Sequence, residues 1–186
     1  MTERIIVAGA GGQGIMLMGK IIALAALRQG KEVSWIPSYG AEVRGGAAYC
    51  MVIISDSEIP SPFIDQADTL IIMNATSLEK FKRRAAGKGV VIINSSLVPN
   101  AVSARKEFPA GVEQFWGEFS GIASGLGNIK VANMVALGAY VALKKILSAQ
   151  TLSGVIEEIA PPEKKNLIEI NRQAVSAGIG LIKERS

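Results

Sequence analysis

The stretch "IIVAGAGGQGIMLMG", residues 5–19, decides the fold, because it combines a short apolar run, a glycine-rich turn and the start of a longer apolar run. Its pattern predicts a strand at about Ile5–Ala8 and a helix at about Gly14–Arg28. Gly30 ends the helix, and a second strand is expected at about Glu32–Pro37. This order is typical of a βαβ unit, in which a helix joins two parallel strands. The helix is apolar almost all round, which predicts that the sheet and other elements, or a partner, bury it.

The rest of the chain continues the alternation of buried strands and helices. Strands are expected at 48–54, 67–74 and 90–94, and helices at about 75–86, 129–147, 152–159 and 163–183. Residues 97–127 contain only short strand and helix pieces. Continuous apolar strands that alternate with helices indicate a mostly parallel sheet covered on both faces. The sequence therefore predicts one α/β domain, residues 1–186, with a three-layer, Rossmann-like fold.

Two of the expected helices carry local signals of their own. Thr76 or Ser77 is the candidate N-cap of the helix at 75–86, and Gly87 and Gly89 are expected to end it. The helix at 129–147 has a side of small residues, which allows close packing against the sheet or another chain. These residues are Ala132, Ala136, Gly138, Ala139 and Ala142.

The residue inventory excludes several kinds of chemistry. The 186-residue chain has no histidine, so it lacks the commonest general base near neutral pH and the commonest metal ligand. Its one cysteine, Cys50, cannot supply the four thiolates of an ordinary iron–sulfur cluster, or a usual zinc site. We expect Cys50 to be a core or strand residue, since no cation or second thiol nearby in the sequence activates it. Redox or metal chemistry is therefore expected to lie on another chain, and no metal-binding residue is expected on this one.

Charge and hydropathy also narrow the possible environments and partners. No apolar run is long enough to span a bilayer, and the start of the chain lacks the regions of a signal peptide, so a soluble, cytoplasmic protein is expected. The net charge is +4, but no aromatic stacking pattern accompanies it, so neither a membrane nor nucleic acid is an expected partner. The densest basic cluster lies near the end of an expected helix, where cations are favourable. Its members are Lys80, Lys82, Arg83, Arg84 and Lys88.

The glycine-rich turn is a possible anion-binding turn. A strand that leads into glycines and then a helix leaves backbone N–H groups unpaired at the positive end of a helix dipole. The candidates are Gly11, Gly12, Gln13 and Gly14. An NAD site also needs an acidic residue at the end of the second strand, whereas Glu32 lies at its beginning. The turn can therefore bind NAD(P), bind another anion, or serve only as a tight strand-to-helix connection.

The second candidate is the charged loop "SYGAEVRGG", residues 38–46, after the second strand. Ligands of open α/β sheets bind at the carboxyl ends of the strands, where this loop begins. Arg44 offers a planar guanidinium suited to a carboxylate or phosphate, and Gly45 and Gly46 leave it accessible. Alternatively, Arg44 pairs with Glu42 or caps a helix, and only orders the loop.

Four motifs in order resemble one known family. They are "GAGGQGI" at 9–15, "SYGAEVRGG" at 38–46, "VIISDSEIPSP" at 52–62 and "NIKVANMVALGA" at 128–139. Together they resemble the gamma subunit of 2-oxoacid:ferredoxin oxidoreductases, most closely the 2-oxoglutarate type, with the 2-oxoisovalerate and pyruvate types close behind.

The resemblance implies an enzyme that decarboxylates a 2-oxoacid and transfers the acyl group to coenzyme A, with electrons passing to ferredoxin. It also implies that thiamine diphosphate, Mg and the Fe–S clusters lie on partner subunits of alpha, beta and delta type, so this chain alone holds no cofactor and is inactive. By resemblance, one loop faces those partners and the substrate or coenzyme A side of the active site. Its residues are Ser38, Tyr39, Gly40, Glu42, Arg44, Gly45 and Gly46.

Two other functions remain open at this point. One is a stand-alone NAD(P)- or nucleotide-binding protein that uses the glycine turn. The other is a structural adaptor whose apolar faces only hold other subunits together.

Overall fold

The computed structural model describes residues 1–38, 48–98 and 104–184. Its strands are β1 (Thr2–Gly9), β2 (Glu32–Ser38), β3 (Ala48–Ser55), β4 (Ala67–Ile72), β5 (Ala85–Asn94) and β6 (Glu113–Gly117). Its α-helices are α1 (Ile15–Arg28), α2 (Ala75–Phe81), α3 (Phe119–Gly125), α4 (Ala132–Lys144), α5 (Ala149–Ile159) and α6 (Ile168–Lys183). Short 3-10 helices lie at Lys82–Arg84, Ser95–Leu97, Arg105–Glu107, Ile129–Val131 and Pro162–Leu167.

The six strands form one sheet in the order β2-β3-β1-β4-β5-β6. The pairs β1–β4, β4–β5 and β5–β6 are parallel, whereas β3 is antiparallel to both β1 and β2. Five strands thus point the same way. The predicted α/β fold with a mostly parallel sheet and helices on both faces is confirmed.

The predicted βαβ unit is present, because α1 joins two strands that run parallel, but these strands are not neighbours, since β3 lies between β1 and β2. The apolar run of β3 is almost wholly buried, and its residues pair with β1 on one side and β2 on the other. Every described residue of β2 is at least partly exposed, as expected for an edge strand. Pro37, which has no N–H to donate, suits this edge position.

The two faces of the sheet are covered unequally. The first face, with Val7, Val52 and Ile92, packs against α1, α3, α4 and α5. The second face, with Ile6, Met51 and Ile93, is covered by α2 and by irregular segments that contribute Ile64 and Phe108. Cys50 is fully buried in the first core, as the sequence predicts.

Helix α2 differs from its expected cap and end. Its N-cap is Asn74, whose Oδ1 accepts a hydrogen bond from the Ser77 N–H at 2.9 Å, so neither Thr76 nor Ser77 is the cap. The helix ends at Phe81, and Gly87 and Gly89 lie inside β5. A Cβ at Gly89 would be 3.0 to 3.1 Å from three backbone oxygens, where the register between β4 and β5 shifts. The glycine therefore accommodates a bulge in the sheet and not a helix end.

Helices α4 and α6 cross at close range. A Cβ at Gly138 of α4 would lie 2.1 Å from the Val175 oxygen, and one at Gly178 of α6 would lie 2.0 Å from the Val135 oxygen. Gly138, on the small side of α4, therefore faces another helix of the same chain. The ten residues Ala132–Val141 are all buried, which fixes α4 firmly in the fold.

The three later helices lie close to their expected positions. The first turn of the helix predicted at 129–147 is a 3-10 turn, and the α-helix ends at Lys144. Helix α5 begins three residues before the expected 152–159, with the Ser148 Oγ accepting from the Thr151 N–H. The segment expected to start the last helix is a 3-10 helix that leads into α6.

Candidate functional site

The carboxyl ends of five strands meet at one edge of the sheet, and the glycine turn lies there. β1 ends at Gly9, β4 at Ile72, β5 at Asn94 and β6 at Gly117. Ser38, the last residue of β2, is also at this edge, because it pairs with Tyr49 near the start of β3. This is the edge at which open α/β sheets bind ligands.

The glycine turn needs glycine for its backbone shape. Gly12 and Gly14 have φ angles of 87° and 71°, a left-handed conformation that other residues rarely adopt. The N–H of Gln13 donates to the Ala10 oxygen at 3.2 Å. Within the described residues, the N–H groups of Gly11, Gly12 and Gly14 donate to no protein group. Three of the four expected backbone donors therefore have no protein acceptor among the described residues.

The Gln13 side chain is used by the protein itself. Its Oε1 accepts from the Ala10 N–H at 2.6 Å, and its Nε2 donates to the Met73 oxygen at 3.3 Å. The first bond closes the turn on itself, and the second ties it to the residue after β4. The side chain of Gln13 thus shapes the turn.

A second amide continues this network beneath the edge. The fully buried Asn94, the last residue of β5, donates through Nδ2 to the Met73 oxygen at 3.4 Å and to the Ser120 Oγ at 2.8 Å. Its Oδ1 accepts from the Ser120 N–H at 3.3 Å. The Met73 carbonyl therefore joins Gln13 and Asn94, and links the glycine turn to the start of α3. Reasoning from the sequence did not assign Asn94 or Ser120 to the site.

These elements enclose a cleft of about 310 Å³. Its lining residues are Gly11, Gly12, Gln13, Met73, Leu97, Ser120, Ile129, Lys130 and Ala132. Among these, Lys130 is the only residue with a charged side chain, and Leu97 and Ile129 are exposed large apolar residues. The cleft thus offers backbone donors, one ammonium group and apolar sides. This chemistry suits an anionic group attached to an apolar chain.

Most of the charged loop lies outside the described residues. Tyr39, Gly40, Glu42, Arg44, Gly45 and Gly46 all belong to residues 39–47, so their expected roles stay predictions. The two residues that flank this segment are Ser38 and Ala48, and Ala48 pairs with Gly9. The loop therefore starts and ends at the carboxyl edge, next to the glycine turn.

Cys50 and two members of the basic cluster are held by burial or by other groups of the protein. Burial raises the pKa of the Cys50 thiol to about 12, so this group stays protonated and unreactive near neutral pH. In the basic cluster, the Lys82 ammonium donates hydrogen bonds to Glu107 and to Glu79, which raise its pKa. Arg84 Nε donates to the Asp65 oxygen at 3.0 Å. Across the described ranges, no group of three His, Cys, Asp or Glu side chains could hold a metal ion. Within the same ranges, no helix is long and apolar enough to cross a membrane.

Comparison with known proteins identifies the family. The model of the family described as pyruvate ferredoxin/flavodoxin oxidoreductase matches residues 4–181, nearly the whole chain. The chain belongs to this family. The family expected from the sequence motifs is therefore confirmed, and the glycine turn and cleft lie within the matched domain.

Curated members of the family include short and long chains. The chain is 36% identical to 2-oxoglutarate synthase subunit KorC of Methanocaldococcus jannaschii over 92% of both chains. It is 33% identical to ketoisovalerate oxidoreductase subunit VorA of Methanothermobacter thermautotrophicus over 94% of its own length. It spans only about a third of the length of VorA, 35%.

Two solved structures are similar to this chain over nearly its whole length. A keto/oxoacid ferredoxin oxidoreductase gamma subunit from Geobacter sulfurreducens has a TM-score of 0.81 at 31% identity, over 98% of this chain and 99% of that one. The 2-oxoglutarate:ferredoxin oxidoreductase of Magnetococcus marinus, solved with 2-oxoglutarate, coenzyme A and succinyl-CoA bound, has a TM-score of 0.85 at 28% identity. The match covers 98% of this chain but 31% of that one.

Proposed function

We propose that this chain is the single-domain gamma subunit of a cytoplasmic 2-oxoacid:ferredoxin oxidoreductase that converts 2-oxoglutarate to succinyl-CoA. The main support for the proposal is the match to KorC and to the Geobacter gamma subunit. In each comparison the match covers almost the whole of both chains. The longer relatives contain the same unit as about a third of a larger polypeptide. The unit thus acts together with further protein, joined to it covalently or as separate subunits.

The reactive groups of such an enzyme belong on companion subunits. With no histidine and one buried cysteine, this chain does not fit an iron–sulfur cluster, which needs about four thiolates. We assign thiamine diphosphate, Mg and the clusters to alpha-, beta- and delta-type partners, and ferredoxin to the electron-accepting side. The work of this chain is to bind and orient the anionic co-substrate.

The cleft at the glycine turn is the proposed contact with coenzyme A. The free N–H groups of Gly11 and Gly12 and the ammonium of Lys130 bind its phosphate groups, and Leu97 and Ile129 contact its apolar parts. Arg44, on the neighbouring loop, is the proposed contact to a carboxylate or phosphate. Ser38 and Ala48, the described residues that flank this loop, lie at the same edge of the sheet as the cleft, which supports adjoining substrate and co-substrate sides.

A steady-state comparison of assembled enzymes tests this function. Lys130→Ala removes the cation of the cleft, and we expect the KM for coenzyme A to rise roughly threefold to tenfold, because an exposed charge contributes less than a buried one. The KM for 2-oxoglutarate should stay the same. Lys20→Ala is the matched control, since Lys20 is an exposed lysine on α1 that does not line the cleft. An unchanged KM for coenzyme A in the Lys130 variant would remove the cleft from the co-substrate site, and normal kinetics of Arg44→Ala would remove the role of Arg44.

A stand-alone nucleotide-binding function is the second candidate, favoured by the free backbone donors of the glycine turn. Against it, β2 ends at Ser38, where an NAD site needs an acidic residue. Titration of the isolated chain with NAD, NADP and adenine nucleotides separates the two functions. Tight binding without partner subunits would favour this second candidate.

A further inference from the structure

The two walls of the cleft come from distant parts of the chain. One wall is the glycine turn after β1, and the other is the segment that leads into α4, with Ile129 and Lys130. The turn carries the free backbone donors, and the second wall carries the only charged group of the lining. A ligand that contacts both must match the separation between the walls.

Asn133, in the first turn of α4, connects these walls. Its Nδ2 donates to the Gly14 oxygen at 3.4 Å, between residues 119 positions apart in the sequence. The contact is close, because a Cβ at Gly14 would lie only 2.3 Å from this Nδ2. The Gly14 oxygen also accepts the first bond of α1, from the Met18 N–H at 2.9 Å. Asn133 therefore contacts the residue at which the turn becomes a helix.

Stability alone does not explain an asparagine here. Asn133 is 4% exposed and its neighbours in the first two turns of the helix are apolar or small, and burying an amide is unfavourable unless its hydrogen bonds are good. A separation of 3.4 Å is at the long end for an N–H···O bond. A role in placing the turn accounts for the polar side chain.

The side-chain hydrogen bonds of Gln13 do not span the cleft. Gln13 ties the turn to Ala10 and Met73, which are on the side of β1 and β4. Helix α4 is held independently by its ten buried residues and by its crossing with α6. Of the side-chain hydrogen bonds of the turn among described residues, the one from Asn133 is the one that reaches the opposite wall.

We propose that Asn133 is a positioning residue for the co-substrate, which sets the separation between the backbone donors of Gly11 and Gly12 and the ammonium of Lys130. This inference rests on the proposed function of the cleft and adds the residue that sets its width. Asn133 does not contact the reacting atoms. It acts through Gly14, so its loss should weaken binding of the phosphate groups and leave the chemical step unchanged.

The test is the kinetics of the assembled enzyme with Asn133→Ala. We expect the KM for coenzyme A to rise roughly threefold to tenfold, the fold-change that corresponds to one hydrogen bond. The kcat at saturating coenzyme A and the KM for 2-oxoglutarate should stay within about twofold. A merely structural role would lower the active fraction, and so the apparent kcat, without changing either KM. Ser148→Ala is the matched control, because it removes the N-cap hydrogen bond of α5 and does not line the cleft.

A double-mutant cycle supplies a second measurement that does not need activity. Gly14→Ala places a Cβ against Asn133, so Asn133→Ala should relieve part of its loss of thermal stability. Additive losses would show that the two residues do not touch, and would overturn the proposal. It would also be overturned by an unchanged KM for coenzyme A in Asn133→Ala. If the wild-type complex itself shows no turnover that depends on coenzyme A, the proposed function fails, which is a different result.

Discussion

The close crossing of α4 and α6 predicts that alanine substitution changes stability differently at two glycines of α6. At Gly178 a Cβ would be 2.0 Å from the Val135 oxygen and 2.9 Å from the Ala139 N, whereas at Gly180 it would meet nothing within 4 Å. The atoms in the way at Gly178 are backbone atoms of a buried helix, which cannot rotate aside. Substitution by alanine should therefore have opposite effects at the two positions.

The magnitudes follow from two opposing contributions. Replacing a helical glycine with alanine stabilises a helix by about 0.8 to 1 kcal/mol, which is the whole effect expected at Gly180. At Gly178 the same gain is opposed by overpacking of about 1 to 3 kcal/mol or more, and contact with rigid backbone calls for the upper end. The expected net loss for Gly178→Ala is about 2 kcal/mol. At about 2 to 4 °C per kcal/mol for a chain of this size, Tm should fall by about 4 to 8 °C.

Urea unfolding of the purified chain, followed by circular dichroism, measures both variants. We expect Gly178→Ala to unfold at a lower urea concentration than the wild type and Gly180→Ala at a higher one, with the same dependence on urea. Gly138→Ala, on the facing helix, should resemble Gly178→Ala, because its Cβ would lie 2.1 Å from the Val175 oxygen. The packing described for α4 and α6 would be refuted if Gly178→Ala were as stable as Gly180→Ala.

Three further predictions concern other groups. Burial raises the pKa of the Glu3 carboxyl above 4.5, despite hydrogen bonds from Thr69 and Lys144, so the folded state holds this proton more tightly than the unfolded state. The Tm of the wild type should thus fall relative to that of Glu3→Gln as the pH rises from 4.5 through the raised pKa. A difference in Tm that does not change with pH would contradict this. The Cys50 thiol is buried and has a pKa of about 12. At pH 8 a thiol reagent should therefore label it only as fast as the chain unfolds. Rapid labelling of the native chain would show that the thiol is accessible. Asn74→Ala should lower the free energy of unfolding by about 1 kcal/mol through loss of the α2 cap, whereas Thr76→Ala, at the position first expected to cap the helix, should not.

The sequence predicts well those parts of the fold in which local pattern and burial agree. The strand, turn and helix at residues 2–28 follow from apolar runs on either side of glycines, and the structure has them almost where they are expected. The direction of β3 could not be predicted in this way. A continuous apolar run specifies a central strand, but not whether it runs parallel or antiparallel to its neighbours. The inserted position of β3 depends on its pairing with β1, which is a contact between distant residues.

In the candidate site, too, the sequence predicts residues that have a local signal but not residues that depend on distant contacts. Gly11 and Gly12 could be found because a backbone feature of one short segment makes them candidates. Asn94 and Asn133 could not be assigned, because their partners are 21 to 119 positions away. One local signal was present: Asn133 is a polar residue within the apolar run "VANMVALGA". A buried amide in such a run indicates a specific hydrogen bond, but only the fold reveals its partner.

Reconstitution tests most directly the claim that this chain contributes to a shared active site and does not supply the reactive groups. The measurement is reduction of ferredoxin that depends on both 2-oxoglutarate and coenzyme A, made with the chain alone, with the companion subunits alone, and with all of them together. We expect full turnover only for the complete assembly and none for the isolated chain. Turnover by the isolated chain would show that it carries the reactive groups itself, and undiminished turnover by the companion subunits without it would show that it contributes nothing to the active site.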